Sequence, residues 1–180
     1  LHLPALPGSA LRCRIQDLDL HFTDRLQGEV HQHLATQCGD FVIKRKDGLF
    51  AYQLAVVVDD AWQGITDVVR GIDLLDSTPR QIYLQWLLQL PAIRYAHTPV
   101  VVDNTGQKLS KQQHAAPLAL QNPAGTLIKG LTCLLQSPPQ ELTLATVEEI
   151  LDWGVRNWQP EKLRGIAQIS QFEDQTGATV

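Results

Sequence analysis

The sequence predicts an α/β fold that runs into an α-helical appendage. Two observations carry that prediction: short strand-like apolar segments alternate with helix-like segments over the first two-thirds of the chain, and two helical stretches close it. The composition supplies the material, since 180 residues with 44% hydrophobic and 19% charged side chains can bury one domain or two small ones. Disordered, collagen-like and disulfide-scaffold classes are excluded on the same grounds.

Leu1 to Ala10 carries Pro4, Pro7 and Gly8, so an irregular lead-in is expected. Apolar side chains then alternate loosely from Leu18 to Val30, and Asp40-Phe41-Val42-Ile43 forms a short strand that closes on Lys46-Asp47-Gly48, which predicts a strand or hairpin. From Tyr52 to Trp62, Leu54, Val57, Val58 and Ala61 recur at helical intervals. The three consecutive valines would also suit a buried strand, but helix is the better reading, with Gly64 as its stop. Ile65 to Val69 is a short strand that delivers Arg70-Gly71 at its carboxyl end. Ser77-Thr78-Pro79 starts a helix with proline in the first turn, and Ile82, Leu84, Trp86, Leu87, Leu88 and Leu90 predict that it is largely buried. Thr98 to Val102 is a strand and Asp103 to Gly106 a turn. Helices follow at Ala124 to Gln136 and Leu144 to Trp158, the second with Thr143-x-x-Thr146 as a degraded capping box and Glu148 and Glu149 in its first turn. Trp153 and Trp158 are assigned to the core of this appendage.

Charge and cysteines narrow the function. Against 15 Lys and Arg stand 19 Asp and Glu, a net charge of -4, so the broad basic footprint of a non-specific nucleic-acid binder is missing and any such contact is local. Lys44-Arg45-Lys46 is one candidate for touching RNA phosphate, with a solvated hairpin tip an equally good reading. Cys13, Cys38 and Cys133 contain no C-x-x-C pair, so neither a disulfide framework nor a zinc site follows from their spacing, and a reducing cytoplasmic setting is expected. The longest purely apolar run, Leu54 to Val58, is too short to span a bilayer, which predicts a soluble protein. Leu1 in first place and no Met anywhere predict a piece of a longer polypeptide.

The most informative segment is Gly106-Gln107-Lys108-Leu109-Ser110-Lys111-Gln112, where a glycine turn leads into two lysines and a serine that can surround phosphate. Upstream of it lie, in order, Asp47-Gly48-Leu49-Phe50-Ala51-Tyr52, then Asp59-Asp60 and Val69-Arg70-Gly71, and finally Thr78-Pro79-Arg80-Gln81. This ordered set, from about Phe41 to Ala116, resembles the carboxyl half of the catalytic core of the class I glutamyl-tRNA synthetase family. Lys108 to Gln112 stands where that family carries its Lys-Met-Ser-Lys-Ser signature. The continuation Gln113-His114-Ala115, the helix Tyr52 to Asp60 and the mere 68 residues after Gln112 are similar to the truncated branch that attaches glutamate to the queuosine base of tRNA(Asp). An ordinary glutamyl-tRNA synthetase piece and a non-enzymatic tRNA-binding module are the alternatives.

The resemblance implies a fold: the second half of a Rossmann-type nucleotide-binding core over residues 41–103, preceded by a lead-in and connecting strands over 1–40 and followed by the lysine loop and helical appendage over 104–180. It also implies roles. Tyr52 and Arg70 would bind the glutamate substrate, Arg70 through the paired hydrogen bonds a guanidinium gives a carboxylate. Lys111 and Lys108 would act catalytically, binding ATP together with Ser110 and neutralising the departing pyrophosphate. ATP, with magnesium, glutamate and tRNA(Asp) would be the partners of a monomeric enzyme, with no membrane and no metal in this chain. The family's zinc module and its His-Ile-Gly-His-type motif have no counterpart after Leu1, so this chain alone is expected to show no ATP-pyrophosphate exchange. Asp59-Asp60 reads better as one backbone-bound and one solvated carboxylate than as an acid/base pair, and His97 and His114 read as isolated.

Overall fold

A computed structural model describes residues 8–103, 105–109 and 121–170. The chain divides into two compact units, Leu1–His97 and Thr98–Val180. Helices and strands alternate in a mixed α/β arrangement, and the described strands pair as four two-stranded sheets.

In the first unit, β1 (Leu11–Cys13), which starts directly after the stretch expected to be irregular, pairs antiparallel with β4 (Phe41–Lys44). β2 (Asp19–Asp24) and β3 (Gly28–His33) form a hairpin in register from Asp19↔His33 to Asp24↔Gly28. A π-type turn over Leu34–Cys38 leads on to β4. Beyond β4 the chain reverses through Lys46 and Gly48, and Lys44 bridges back to Phe50. Arg45 pairs with Asp47 there at 2.6 Å, an exposed contact that spends part of the local basic charge.

α1 (Tyr52–Gln63) takes the helical alternative for the valine triplet, because Val57 is 1% exposed and packs into the core together with Leu54 and Val56. Its stop is Gly64 at φ 70° and ψ 29°, a left-handed conformation that costs glycine little. There the Gly64 N–H donates to Ala61 C=O and the Ile65 N–H to Asp60 C=O. β5 (Asp67–Gly71), a 3₁₀ segment (Ile72–Ser77), α2 (Thr78–Leu87) and β6 (Arg94–Thr98) follow, with β5 and β6 paired.

The burial of α2 corrects an expectation. Trp86, Leu87 and Leu88 are exposed, whereas Gln81, Tyr83, Leu84 and Gln85 are buried. Gln81, Leu84 and Gln85 share one face at i, i+3 and i+4, and that face meets polar partners as well as the core. The core of this unit gathers Cys13, Leu20, Leu34, Phe41, Val57, Tyr83 and Leu84.

The second unit holds β7 (Val100–Val102) and β8 (Gln168–Ser170) in parallel, with α3 (Pro123–Cys133) and α4 (Val147–Asn157) between them in sequence. Asn122 caps α3 by accepting from the Gly125 N–H at 2.9 Å. α4 carries a complete capping box that starts at Thr146 rather than at Thr143: Thr146 Oγ1 accepts from the Glu149 N–H, and Glu149 accepts from the Thr146 N–H. Ile150 and Leu163 are fully buried. Trp153 is half-buried, but Trp158 is 40% exposed and lines an open groove with Leu131 and Gly154, so it is not a core residue.

Candidate functional site

Polar burial in the first unit converges on Arg70, which β5 presents near its carboxyl end. Arg70 Nε donates to His97 Nε2 at 3.1 Å, and its Nη2 donates to Thr78 Oγ1 at 2.8 Å and Gln81 Oε1 at 2.7 Å. The guanidinium carbon also lies 5.4 Å from the centre of the Tyr95 ring, a cation–π distance. Strand pairing sets this geometry, because β5 and β6 carry Arg70 and His97, and α2 supplies Thr78 and Gln81 from its first turn.

His97 is 0% exposed and its Nδ1 lies 2.6 Å from Asp24 Oδ2, with Asp24 itself 1% exposed at the end of β2. An arginine nitrogen can only donate, so His97 Nε2 is the acceptor and Nδ1 carries the proton given to Asp24. Burial opposes ionisation of Asp24, but donation from Gln27 N–H, the His97 ring, His97 N–H and Leu26 N–H outweighs it and holds the carboxyl below its ordinary value. His97, expected to be isolated, is thus the middle of a chain from Asp24 to Arg70. Its partner lies 73 residues away, which no local pattern reveals.

On the other side, Gln81 Nε2 donates to Gln53 Oε1 at 2.9 Å, and Gln53 Nε2 donates to Ser77 Oγ at 3.0 Å. Tyr52, the neighbour of Gln53 at the first turn of α1, is half-exposed. Tyr95 accepts from Gln85 Nε2 at 2.9 Å, and burial above all pushes its hydroxyl upward from its ordinary value. Asp60 is raised chiefly by burial, against the attraction of Arg70 and with the repulsion of Asp59, which faces solvent. Arg70 and Tyr52 were expected from the resemblance, whereas Asp24, Gln53, Thr78 and Gln81 were not expected as companions of Arg70. The one local signal was Asp24 opening a turn before Gly28.

In the second unit the turn before the lysine motif is built on Asp103. Its Oδ1 accepts from the Thr105 and Gln107 N–H groups at 2.8 and 3.0 Å, and Gly106 adopts φ +80°. Lys108, exposed, then bridges back to Val102, and the Leu109 N–H donates to Val101 C=O at 2.9 Å. Ser110, Lys111, Gln112 and His114 lie outside the described residues. Among the described residues, Cys13, Cys38 and Cys133 are free thiols, and no three His, Cys, Asp or Glu side chains converge on a metal position. No helix among them is long and apolar enough to cross a membrane.

Residues 8–152 match the family of class I tRNA synthetases (E and Q), catalytic domain. The Glutamyl-Q tRNA(Asp) synthetase of Ectopseudomonas mendocina is 55% identical over 155 residues, covering 86% of this chain and 53% of that protein. That of Pseudomonas aeruginosa is 52% identical over 167 residues, covering 93% and 57%. The glutamate-tRNA synthetase structure from Elizabethkingia anophelis superposes with a TM-score of 0.66 at 20% identity, covering 91% of this chain and 36% of that one, which shows a shared fold. The chain spans about half the length of the curated relatives it matches.

Proposed function

The chain belongs to the class I tRNA synthetase (E and Q) catalytic-domain family, and on that premise we propose that it works as part of an enzyme joining glutamate to the queuosine base of tRNA(Asp) at the expense of ATP. The observation that carries this reading is the 55% identity to a Glutamyl-Q tRNA(Asp) synthetase over 86% of the chain.

In this reading a glutamate carboxylate oxygen attacks the α-phosphorus of ATP. The bond from that phosphorus to the pyrophosphate oxygen breaks, and glutamyl-adenylate forms. Arg70 clasps the other substrate carboxylate and Tyr52 helps fix the amino acid. A site that pairs an arginine with a substrate acid disfavours substrates that lack it, because they forgo the paired charge-assisted hydrogen bonds. Lys111 and Lys108, with Ser110, hold the ATP phosphates and neutralise charge on departing pyrophosphate, so positioning and electrostatics replace a protein nucleophile. Magnesium accompanies ATP as substrate, and zinc belongs to a part of the enzyme other than this chain. Residues 41–103 are the second half of the nucleotide-binding core and 104–180 the lysine-loop and helical appendage of a cytoplasmic, monomeric enzyme.

The test uses the full-length protein with ATP and labelled glutamate. Label on the queuosine of tRNA(Asp) is the expected result. Label on the 3′ end of tRNA(Glu) would make it an ordinary glutamyl-tRNA synthetase, and no label on either RNA together with RNA binding would leave a binding module.

A further inference from the structure

We propose that Asp24 and His97 are positioning residues that aim Arg70 at the substrate carboxylate, an inference that rests on the reading of Arg70 as the carboxylate clasp. The guanidinium is planar, so fixing its Nε direction and one terminal nitrogen fixes the plane in which it can receive a carboxylate. His97 does the first through its 3.1 Å contact to Nε, and Thr78 and Gln81 do the second. Asp24 in turn fixes the imidazole, because its Oδ2 at 2.6 Å from Nδ1 keeps the proton there and leaves the Nε2 lone pair facing Arg70.

The arrangement has a chemical logic. A carboxylate placed directly on Nε would neutralise Arg70 and compete with the substrate acid. A neutral imidazole between them transmits orientation while keeping the Asp24 charge one ring away. Both members are sealed from water, with His97 at 0% and Asp24 at 1% exposure, so neither can serve the substrate by touching it. Asp24 is also locked into its own turn by Leu26 and Gln27 N–H donors at 3.0 and 2.9 Å, and Gln27 Nε2 donates to His97 C=O at 2.7 Å. The β2–β3 turn therefore holds His97 at two places, its ring through Asp24 and its backbone through Gln27 and Asp24.

Asp24→Asn is the sharpest test because it keeps size and the backbone acceptor. An amide N–H facing His97 Nδ1 moves the ring proton to Nε2, where it meets the Arg70 Nε–H, donor against donor. In the full-length protein we expect glutamate KM in ATP-pyrophosphate exchange to rise roughly tenfold, with ATP KM unchanged and discrimination against glutamine reduced. In an Arg70→Ala background the same change should add nothing further, since the pair acts through one group. His97→Leu should behave like Asp24→Asn, and His97→Gln, which keeps an acceptor for Arg70, should restore most of the affinity. If His97→Leu does not fold, Asp24→Asn and His97→Gln still decide. An unchanged glutamate KM in Asp24→Asn, while Arg70→Ala raises it, overturns the positioning role alone. An equal rise in glutamate and ATP KM, or effects additive with Arg70→Ala, makes the pair merely structural and overturns it too. An unchanged glutamate KM in Arg70→Ala overturns the reading of Arg70 and the positioning role with it.

Discussion

Gln81 meets Arg70 at 2.7 Å while only 1% exposed, and its amide can face one way only. Oε1 accepts from Arg70 Nη2, and Nε2 donates to Gln53 Oε1 at 2.9 Å. A glutamine on the buried face of a helix is a link here between two elements and the proposed carboxylate clasp.

Gln81→Leu is expected to lower unfolding free energy by about 1–3 kcal/mol, because it strips partners from Arg70 and Gln53 at a dry position. Urea titration followed by circular dichroism measures this, and a change within experimental scatter would remove the link. Gln81→Glu should fold but raise the glutamate KM by roughly an order of magnitude, the equivalent of about 1.4 kcal/mol, since an internal carboxylate then competes for Arg70.

Acid should weaken the first unit through Asp24. Its carboxyl is lower in the folded protein than in the unfolded chain, so its contribution is fully present above the unfolded value and lost as pH falls through the folded one. Comparing denaturant midpoints at about pH 6 and about pH 3 in wild type and Asp24→Asn checks this, with a shallower acid loss expected in the variant. Parallel losses in the two proteins would contradict it.

Thr146→Ala is expected to cost about 1 kcal/mol by removing the oxygen that receives the Glu149 N–H at the start of α4. Glu149 itself is held below its ordinary value by the Thr146 N–H first and the Thr146 hydroxyl second. A carboxyl titration followed by NMR should therefore move part of the way back up in Thr146→Ala, because the backbone N–H remains, and no movement would mean that the Thr146 hydroxyl does not reach Glu149 in solution.

Lys111→Ala should slow adenylate formation in single-turnover assays while leaving the glutamate KM near its wild-type value, the reverse of Arg70→Ala. Lys108→Ala should show a smaller effect of the same kind. Loss of glutamate affinity in Lys111→Ala, with an unchanged rate of adenylate formation, would refute the division of labour between the two groups.

The site was partly readable in advance, for identifiable reasons. The roles expected of Arg70 and Lys108 followed from the resemblance carried by the ordered motifs from Asp47 to Gln112, since a strand-end arginine or a lysine behind a glycine turn is by itself an ordinary surface cation. The helix over Tyr52–Gln63 followed from a 3.6-residue rhythm with a glycine stop. These are local properties, and backbone sterics and periodicity determine them within a few residues.

By itself, then, the sequence determined the succession of elements, the family resemblance and the identity of the two groups proposed to face the substrate. Tertiary structure alone decided which polar side chains are buried and with whom. Asp24 and His97, 73 residues apart, become partners only when β2 and β6 are brought together. The face of α2 that carries Gln81 and Gln85 turns inward although Trp86, Leu87 and Leu88 are more apolar. The reason is that a buried polar group is tolerated only where a partner of opposite hydrogen-bonding character arrives through space, a condition that spacing along the chain does not encode.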